Sequence, residues 1–543
     1  MTEAGHFTYQ TRIRAPSATT DLLDAYAALF GTVERSLFAA YQARTPINDC
    51  KRDFQRRFGI TARQFNAVRV GLDGKIAAIT ERRPELIGEA HTRIKSLDKT
   101  IKALMKKRPG SQALHQKKRR HAMLMARLAR LQADQDAGAV RLCFGSKRLF
   151  RAQYDLKANG YDSHEAWKAD WQARRSAQFF VLGSADETSG CQGCVASLQE
   201  DGTLSLQVRL PDALVTADKH LLLSGIRFAY GHAAIVDALQ SSRRVQAKTK
   251  AGKATIKRVG SALSYRFLRD PKGWRVMVSM AAAPVPTISR KDLGAIGVDV
   301  NADHLAVSEV DRFGNWIGLR RFELPTYGKS TDQAKALIGD AAVAIVALAK
   351  AASKPIILEK LDFQKKKAAL SRDDPKYARM LSAFACNKVG SSIRAAAFRA
   401  GVEVIEVNPA FSSTIGAVNH AHRLGISIHQ GAALVIARRG LGLSERPTVQ
   451  GVTTPTRNGD HVTFLLPVRN RKKHVWAYWS VVRRRLTAAH VAHARSGASK
   501  KAPRPLSPAR LLAERSTWAL PARFRHANRQ QHCSADVLPD VPF

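Results

Sequence analysis

Two apolar runs that each end in a carboxylate constrain this chain more than any other feature. Leu293-Gly294-Ala295-Ile296-Gly297-Val298-Asp299 is a continuous strand pattern closed by an acid, and Pro355-Ile356-Ile357-Leu358-Glu359 repeats the device. Short apolar runs of this length read as buried strands. Helical spacing follows each candidate strand, over about Asp332 to Ala352 and again from about Tyr377 to Ala400. Val402 to Val407 reads as a further strand, and a last helix carries His429-Gln430-Gly431-Ala432-Ala433 through to Arg438 and Arg439. Residues 290–443 are therefore expected to form an α/β domain.

Between the two acids lie His304-Leu305-Ala306-Val307-Ser308, a second strand, the turn Asp311-Arg312-Phe313-Gly314-Asn315, and Trp316-Ile317-Gly318, which opens a third. An acid on the first strand of such a meander is the RNase H arrangement. Its chemistry is metal-ion phosphoryl transfer: two divalent ions about 4 Å apart activate a water and stabilise the leaving oxygen. Hard Mg²⁺ wants oxygen ligands, so carboxylates from separate strands must converge. One acid at a strand end is usually a surface cap; two in this order point to a site.

Charge narrows the partner. Lys and Arg number 88 against 44 acidic residues, a net +44. A chain so basic repels itself unless a polyanion neutralises it, and nucleic-acid phosphates release counterions to Lys and Arg. The charge is spread along the whole chain rather than on one amphipathic helix, which argues against a membrane surface. No signal peptide or membrane span is expected, since the most apolar stretch, Ala341 to Ala349, is short. Six cysteines in 543 residues argue against a disulfide scaffold. The expected compartment is a prokaryotic cytoplasm, with association to the nucleoid.

The N-terminal half reads differently. Phe7, Tyr9, Thr11 and Ile13 alternate as a strand. Helical spacing then holds for over a hundred residues, with Ile94, Leu97, Ile101 and Leu104 before the breaker Arg108-Pro109-Gly110 and Leu124, Leu128 and Leu131 after it. That predicts an antiparallel helical hairpin. Lys99, Lys102, Lys106, Lys107, Lys117, Lys118, Arg119 and Arg120 fall on it with almost no interleaved acid, the footprint of a nucleic-acid contact. From about Cys143 the period falls to two, predicting a β-barrel-like region that pairs with the N-terminal strand and makes the helical block an insertion.

The segment from Ile296 to Leu443 resembles the transposon-encoded TnpB nucleases and the type V CRISPR effectors related to them. The resemblance rests on Gly297-Val298-Asp299 with His304-Leu305-Ala306-Val307, and on Ile357-Leu358-Glu359-Lys360-Leu361-Asp362-Phe363 with the Lys run after it. It also rests on Phe384, Ala397 and Gly401, on Val407-Asn408-Pro409-Ala410-Phe411-Ser412-Ser413, and on the hairpin Ser264-Tyr265-Arg266-Phe267 through Trp274. It implies a multidomain α/β protein. Residues 1–15 and 140–288 would form a wedge β-barrel, 16–139 a REC-like helical nucleic-acid-binding insertion, and 290–443 an RNase H-like RuvC domain. Residues 444–543 would be a basic, partly disordered extension with one helix around Val475 to Arg495.

What the resemblance further implies is a guide RNA held by the N-terminal half, a double-stranded DNA target, and cleavage at Asp299 and Glu359 with Mg²⁺ or Mn²⁺. Two departures matter. The family's Cys-x-x-Cys zinc ribbon before the last helix is missing, since 410–428 has no cysteine. Cys191 and Cys194 lack a partner pair for four ligands, so no structural zinc is expected. The family's third acid is replaced by His429, and no Asp or Glu lies between Glu406 and Glu445. A neutral imidazole can ligate a divalent ion and suits Mn²⁺ better than Mg²⁺; a non-ligating His is the alternative. In the first case Asp299 would bridge two metals, Glu359 hold one and His429 complete the other. In the second the chain is a guided DNA binder with weak or absent cleavage that acts by blocking DNA. A DNA-strand-transferring transposase is a third reading. Lys365, Lys366, Arg438 and Arg439 are candidate strand contacts.

Overall fold

The computed structural model describes residues 5–248, 254–282, 285–360, 386–447, 450–456 and 459–495. The chain divides near residue 285 into two compact units. The protein is multidomain and mixed α/β, with several sheets.

The first unit opens with β1 (His6–Arg12), followed by α1 (Ser17–Gln42), α2 (Ile47–Phe58), α3 (Ala62–Lys107), α4 (Gln112–Asp136), α5 (Lys147–Ala152) and α6 (His164–Arg175). Then come β2 (Gln178–Val181), β3 (Cys194–Leu198), β4 (Leu204–Arg209), β5 (His220–Ile226), α7 (His232–Gln240), β6 (Arg243–Lys248), β7 (Ala254–Val259), β8 (Leu263–Asp270) and β9 (Gly273–Ala281). β1 pairs antiparallel with β9, Tyr9 opposite Val278, so the long helices lie between two paired strands of one sheet. The α3–α4 turn falls at Arg108-Pro109-Gly110, and Ala90, Ile94 and Leu128 bury the hairpin's seam.

The strands here do not form one closed, hydrogen-bonded barrel among the described residues. They make a four-stranded sheet of order β1-β9-β8-β2, a three-stranded sheet β3-β4-β5 and a two-stranded hairpin β6-β7, the first two facing a common core that holds Phe179, Leu206 and Tyr265. After β2 the chain crosses the start of β8 so closely that a Cβ on Gly183 would lie 2.0 Å from the Leu263 carbonyl oxygen. One correction concerns 147–175, where Lys147–Ala152 and His164–Arg175 are helical rather than extended: α5 and α6 are short, and their apolar positions are too few to show a period.

Asp270, at the β8–β9 turn, has a nearly enclosed carboxylate paired with Arg12 (2.9 Å) and Arg275 (2.8 Å). Burial opposes its ionisation, but the Arg12 hydrogen bonds, the Lys272 N–H and the two guanidinium charges hold the carboxyl below its ordinary range. A carboxyl depressed in the folded state adds stability above its unfolded pKa, about 3.9, and loses it as pH falls. Urea midpoints should therefore drop from pH 5 to pH 3, with a shallower dependence in Asp270→Asn.

The second unit carries β10 (Ala295–Val300), β11 (His304–Val310), β12 (Trp316–Glu323), α8 (Thr331–Ala352), β13 (Ile356–Glu359), α9 (Cys386–Ala400) and β14 (Val404–Val407). A helical run follows, Ser412–Ile415, a π-turn Gly416–Ala421 and His422–Leu424. Then come α10 (Ile428–Gly440), β15 (Gly451–Pro455), β16 (His461–Leu465) and α11 (Val475–Arg495). The sheet order is β12-β11-β10-β13-β14, with the first three strands antiparallel and β13 and β14 parallel to β10. Ile296, Val298, Ile356 and Leu358 face α8 and α9. Ala295 and Ile357, on the other side of the pleat, face Leu434 and Ala437 of α10.

The unit does not stop at 443. The β15–β16 hairpin and α11 place Val452, Trp479 and Val482 against Val435 of α10 and against Ile415 and Val418. This second layer explains why Gly431 through Ala437 are all buried: α10 lies between the sheet and the hairpin–helix pair. A helix that is apolar all round needs such cover. No helix among the described residues is long and apolar enough to cross a membrane.

Candidate functional site

The parallel pairing of β10 and β13 sets Val298 opposite Leu358, so Asp299 and Glu359 stand one step further along, at the same level of adjacent strands. Such strands are about 4.8 Å apart. Both acids project to the α10 face, since they follow Gly297 and Ile357 at the two-residue period of that side. Asp299 is 5% exposed. Its Oδ2 accepts from Asn301 Nδ2 at 2.9 Å and lies 3.3 Å from His429 Nδ1.

His429 sits in the first turn of α10, which is closed by a capping box of Ser427 and Gln430. The positive end of the helix dipole therefore lies by the Asp299 carboxylate. What brings α10 down on the strand is the absence of side chains. A Cβ on Gly297 would fall 2.1 Å from the Ala433 carbonyl oxygen, and one on Gly416 would fall 2.5 Å from the Gly431 carbonyl carbon.

Glu359 is held from another direction. Ser412 Oγ donates to its Oε1 at 2.5 Å. Phe411, at φ 62°, turns the chain so that Ser412 heads the helical run after β14. The charge of Glu359 also reaches Arg439, whose burial lowers its pKa while Glu359 and Glu445 oppose that.

The structure thus brings Asp299, Glu359 and His429 to one end of one sheet face. Among the described residues, no three His, Cys, Asp or Glu side chains converge as a ready ligand set; Glu359 is bonded to Ser412 and His429 to Asp299. The donor chemistry nevertheless suits one divalent cation: two carboxylates and an imidazole share the site. Among the described residues no third carboxylate joins them.

Residues that sequence reasoning passed over also belong here. His304, buried at the start of β11, packs edge-on to His429 with ring centroids 5.0 Å apart, and its Nδ1 is 2.7 Å from Asp303 Oδ1. Burial works against the Asp303 charge, but the His304 bond and the His304 and Arg321 charges hold its carboxyl low. The only signal in the sequence was position: Asn301, Asp303 and His304 fill the turn that follows Asp299. Ser412 lies in a quoted motif, but nothing local marks it as a partner of Glu359.

The basic candidates divide. Lys99, Lys102, Lys106, Lys107, Lys118, Arg119 and Arg120 are exposed on the α3–α4 hairpin, and Lys117 is half-buried. None of them forms an ion pair with a described residue. Arg438 and Arg439 have structural work instead. Arg438 donates to Glu445 (2.5 Å) and to the Gly314 carbonyl (2.6 Å), and Arg439 to the carbonyls of Asn408 and Ala410. Lys365 and Lys366 lie outside the described residues. Cys191 and Cys194 are buried free thiols in the first unit; burial pushes Cys191 up to about 11.

No family model matches the chain, and no curated protein matches it. Among solved structures it is similar to T. thermophilus RuvC in complex with a Holliday junction substrate. The identity is 14%, over 28% of this chain and 98% of that one, with a TM-score of 0.20. A score so low adds no weight to the geometry.

Proposed function

We propose that this chain is an RNA-guided DNA-targeting protein whose second unit is a divalent-metal-dependent DNA endonuclease. One observation carries the chemistry: Asp299 and Glu359 stand level on neighbouring parallel strands, with His429 of the covering helix in contact with Asp299. The guide and the DNA target come from the sequence resemblance and from a net charge of +44 that asks for a polyanion. Asp299, Glu359 and His429 would hold the cation. When bound, it supplies Lewis-acid activation of water and charge stabilisation at the leaving oxygen. Asn301 orients the Asp299 carboxylate, Ser412 steadies Glu359, and His304 braces the His429 ring.

A second reading is a guide-directed binder that blocks DNA with little cutting. The observation favouring it is the missing third acid, together with the engagement of Glu359 by Ser412. One experiment separates the two. The purified chain, with its co-purified RNA sequenced, is given matched double-stranded DNA in Mn²⁺ and in Mg²⁺. Cleavage, stronger in Mn²⁺, is expected; none in either metal overturns the endonuclease. His429→Asp then tests the binder, which predicts a gain of cleavage in Mg²⁺. Absence of a discrete guide species would instead favour a transposase.

A further inference from the structure

We infer that α5 and α6 present a stacking platform for unpaired RNA bases, separate from the α3–α4 hairpin and from the carboxylate site. Phe150 and Tyr154 are 41% and 76% exposed and touch edge to face at 6.4 Å. Lone exposed aromatics are common on protein surfaces; these two are joined and buttressed. Phe150 leans on Trp171 at 5.5 Å, and Trp171 stacks at 6.1 Å and 11° on Trp167. Trp167 is buried, and its indole N–H donates to the Leu149 carbonyl at 2.8 Å, which ties α6 to α5. Arg175 covers the Trp171 ring at 5.3 Å, and Gly145, at φ +91°, passes where any Cβ would sit 2.9 Å from it. The rings are therefore fixed before anything binds.

Charge selects the occupant. Lys147, Arg148 and Arg151 are exposed on the same short helix as Phe150. Neither guanidinium group makes a hydrogen bond or ion pair with a described residue. Two neighbouring acids have internal partners: Asp155 accepts from the Ala158 N–H, and Asp170 from the Tyr161 hydroxyl. Exposed ring faces flanked by free guanidinium groups match an unpaired strand, whose bases stack while its phosphates take the cations. A duplex keeps its bases stacked on each other and offers these rings nothing. RNA is chosen over DNA because the Tyr154 hydroxyl and the arginines can also bond a 2′-hydroxyl. That choice rests on the proposed reading that the chain carries an RNA.

The test uses the full chain, stripped of nucleic acid, in an Asp299→Ala background without divalent metal. Anisotropy of a labelled single-stranded oligouridylate is followed across a salt series. Phe150→Ala with Tyr154→Ala should weaken binding at least about tenfold and leave the salt slope unchanged. Phe150→Tyr with Tyr154→Phe, which keep both rings, should hold affinity within about twofold. Arg148→Ala with Arg151→Ala should lower the salt slope by about 0.7 per residue. Wild-type affinity in the double alanine variant overturns the platform, and so does an equal loss in the ring-keeping pair. Oligodeoxyuridylate or an RNA duplex bound as tightly, with the same loss on removing the rings, overturns the assignment to unpaired RNA. With the nuclease site already disabled, failure here leaves the cleavage reading standing, and failure of cleavage leaves this surface standing.

Discussion

Asp299→Ala is expected to abolish the proposed metal-dependent DNA cleavage, by on the order of 10³-fold or more, while the proposed RNA-dependent binding to DNA stays near the wild-type level. The carboxylate is buried beneath the first turn of α10 and is the one acid in direct contact with His429. Removing it takes away one of the two carboxylates that the described residues bring to this end of the sheet. Asp299→Asn keeps the shape and one acceptor oxygen for Asn301 but loses the charge. Its cleavage should fall nearly as far, which separates charge from packing. Single-turnover cleavage with saturating Mn²⁺ reads the effect, and filter binding of the same DNA reads the control. Cleavage by the alanine variant at the wild-type rate would remove Asp299 from the chemistry.

Gly297→Val should severely destabilise the second unit, costing about 3 kcal/mol or more. A Cβ at this position meets backbone, 2.1 Å from the Ala433 carbonyl oxygen and 2.6 Å from the Ala437 nitrogen, and backbone cannot rotate aside. Helix α10 must lift from the sheet. Its outer side is packed against Trp479 and Val482, so the hairpin–helix layer is disturbed with it. His429 rides on the first turn and leaves Asp299. Chemical denaturation should show the loss, and proteolysis should cut more readily between 443 and 475. Gly318→Val on the edge strand β12 is the control, because open space surrounds a Cβ there; it should stay within about 0.5 kcal/mol of wild type. A Gly297→Val protein as stable as that control would mean that α10 does not pack as described.

The central sheet of the second unit was legible because its strands are long apolar runs bounded by turns, and local period suffices to mark them. The placing of two acids at strand ends was legible for the same reason. Helix α11 was legible at Val475–Arg495; the β15–β16 hairpin, and the packing of both onto α10, were not. Arg483, Arg484 and Arg485 dominate the composition of α11, and the buried face is carried by few residues, Trp479 and Val482 among them. Helices α5 and α6 were hidden by brevity. Arg438 and Arg439 read as exposed cations, yet their guanidinium groups close loops at the end of α10. A charge pair and a solvated charge look alike in sequence.

Taken alone, the sequence determined the order of the strands between residues 290 and 407 and of helices α8, α9 and α10, the breaker at 108–110, and the excess of cations. Only the tertiary structure decided that β3–β5 form a sheet apart from β1, β2, β8 and β9, that Ser412 grips Glu359, and that His304 stands behind His429. The physical reason is distance along the chain. Asp299 and His429 are 130 residues apart, and Glu359 and Ser412 are 53 apart. Residues so far apart meet only through the approach of whole elements, set here by glycines at 297, 416 and 431. No period within a helix or strand records which of its neighbours will come that close.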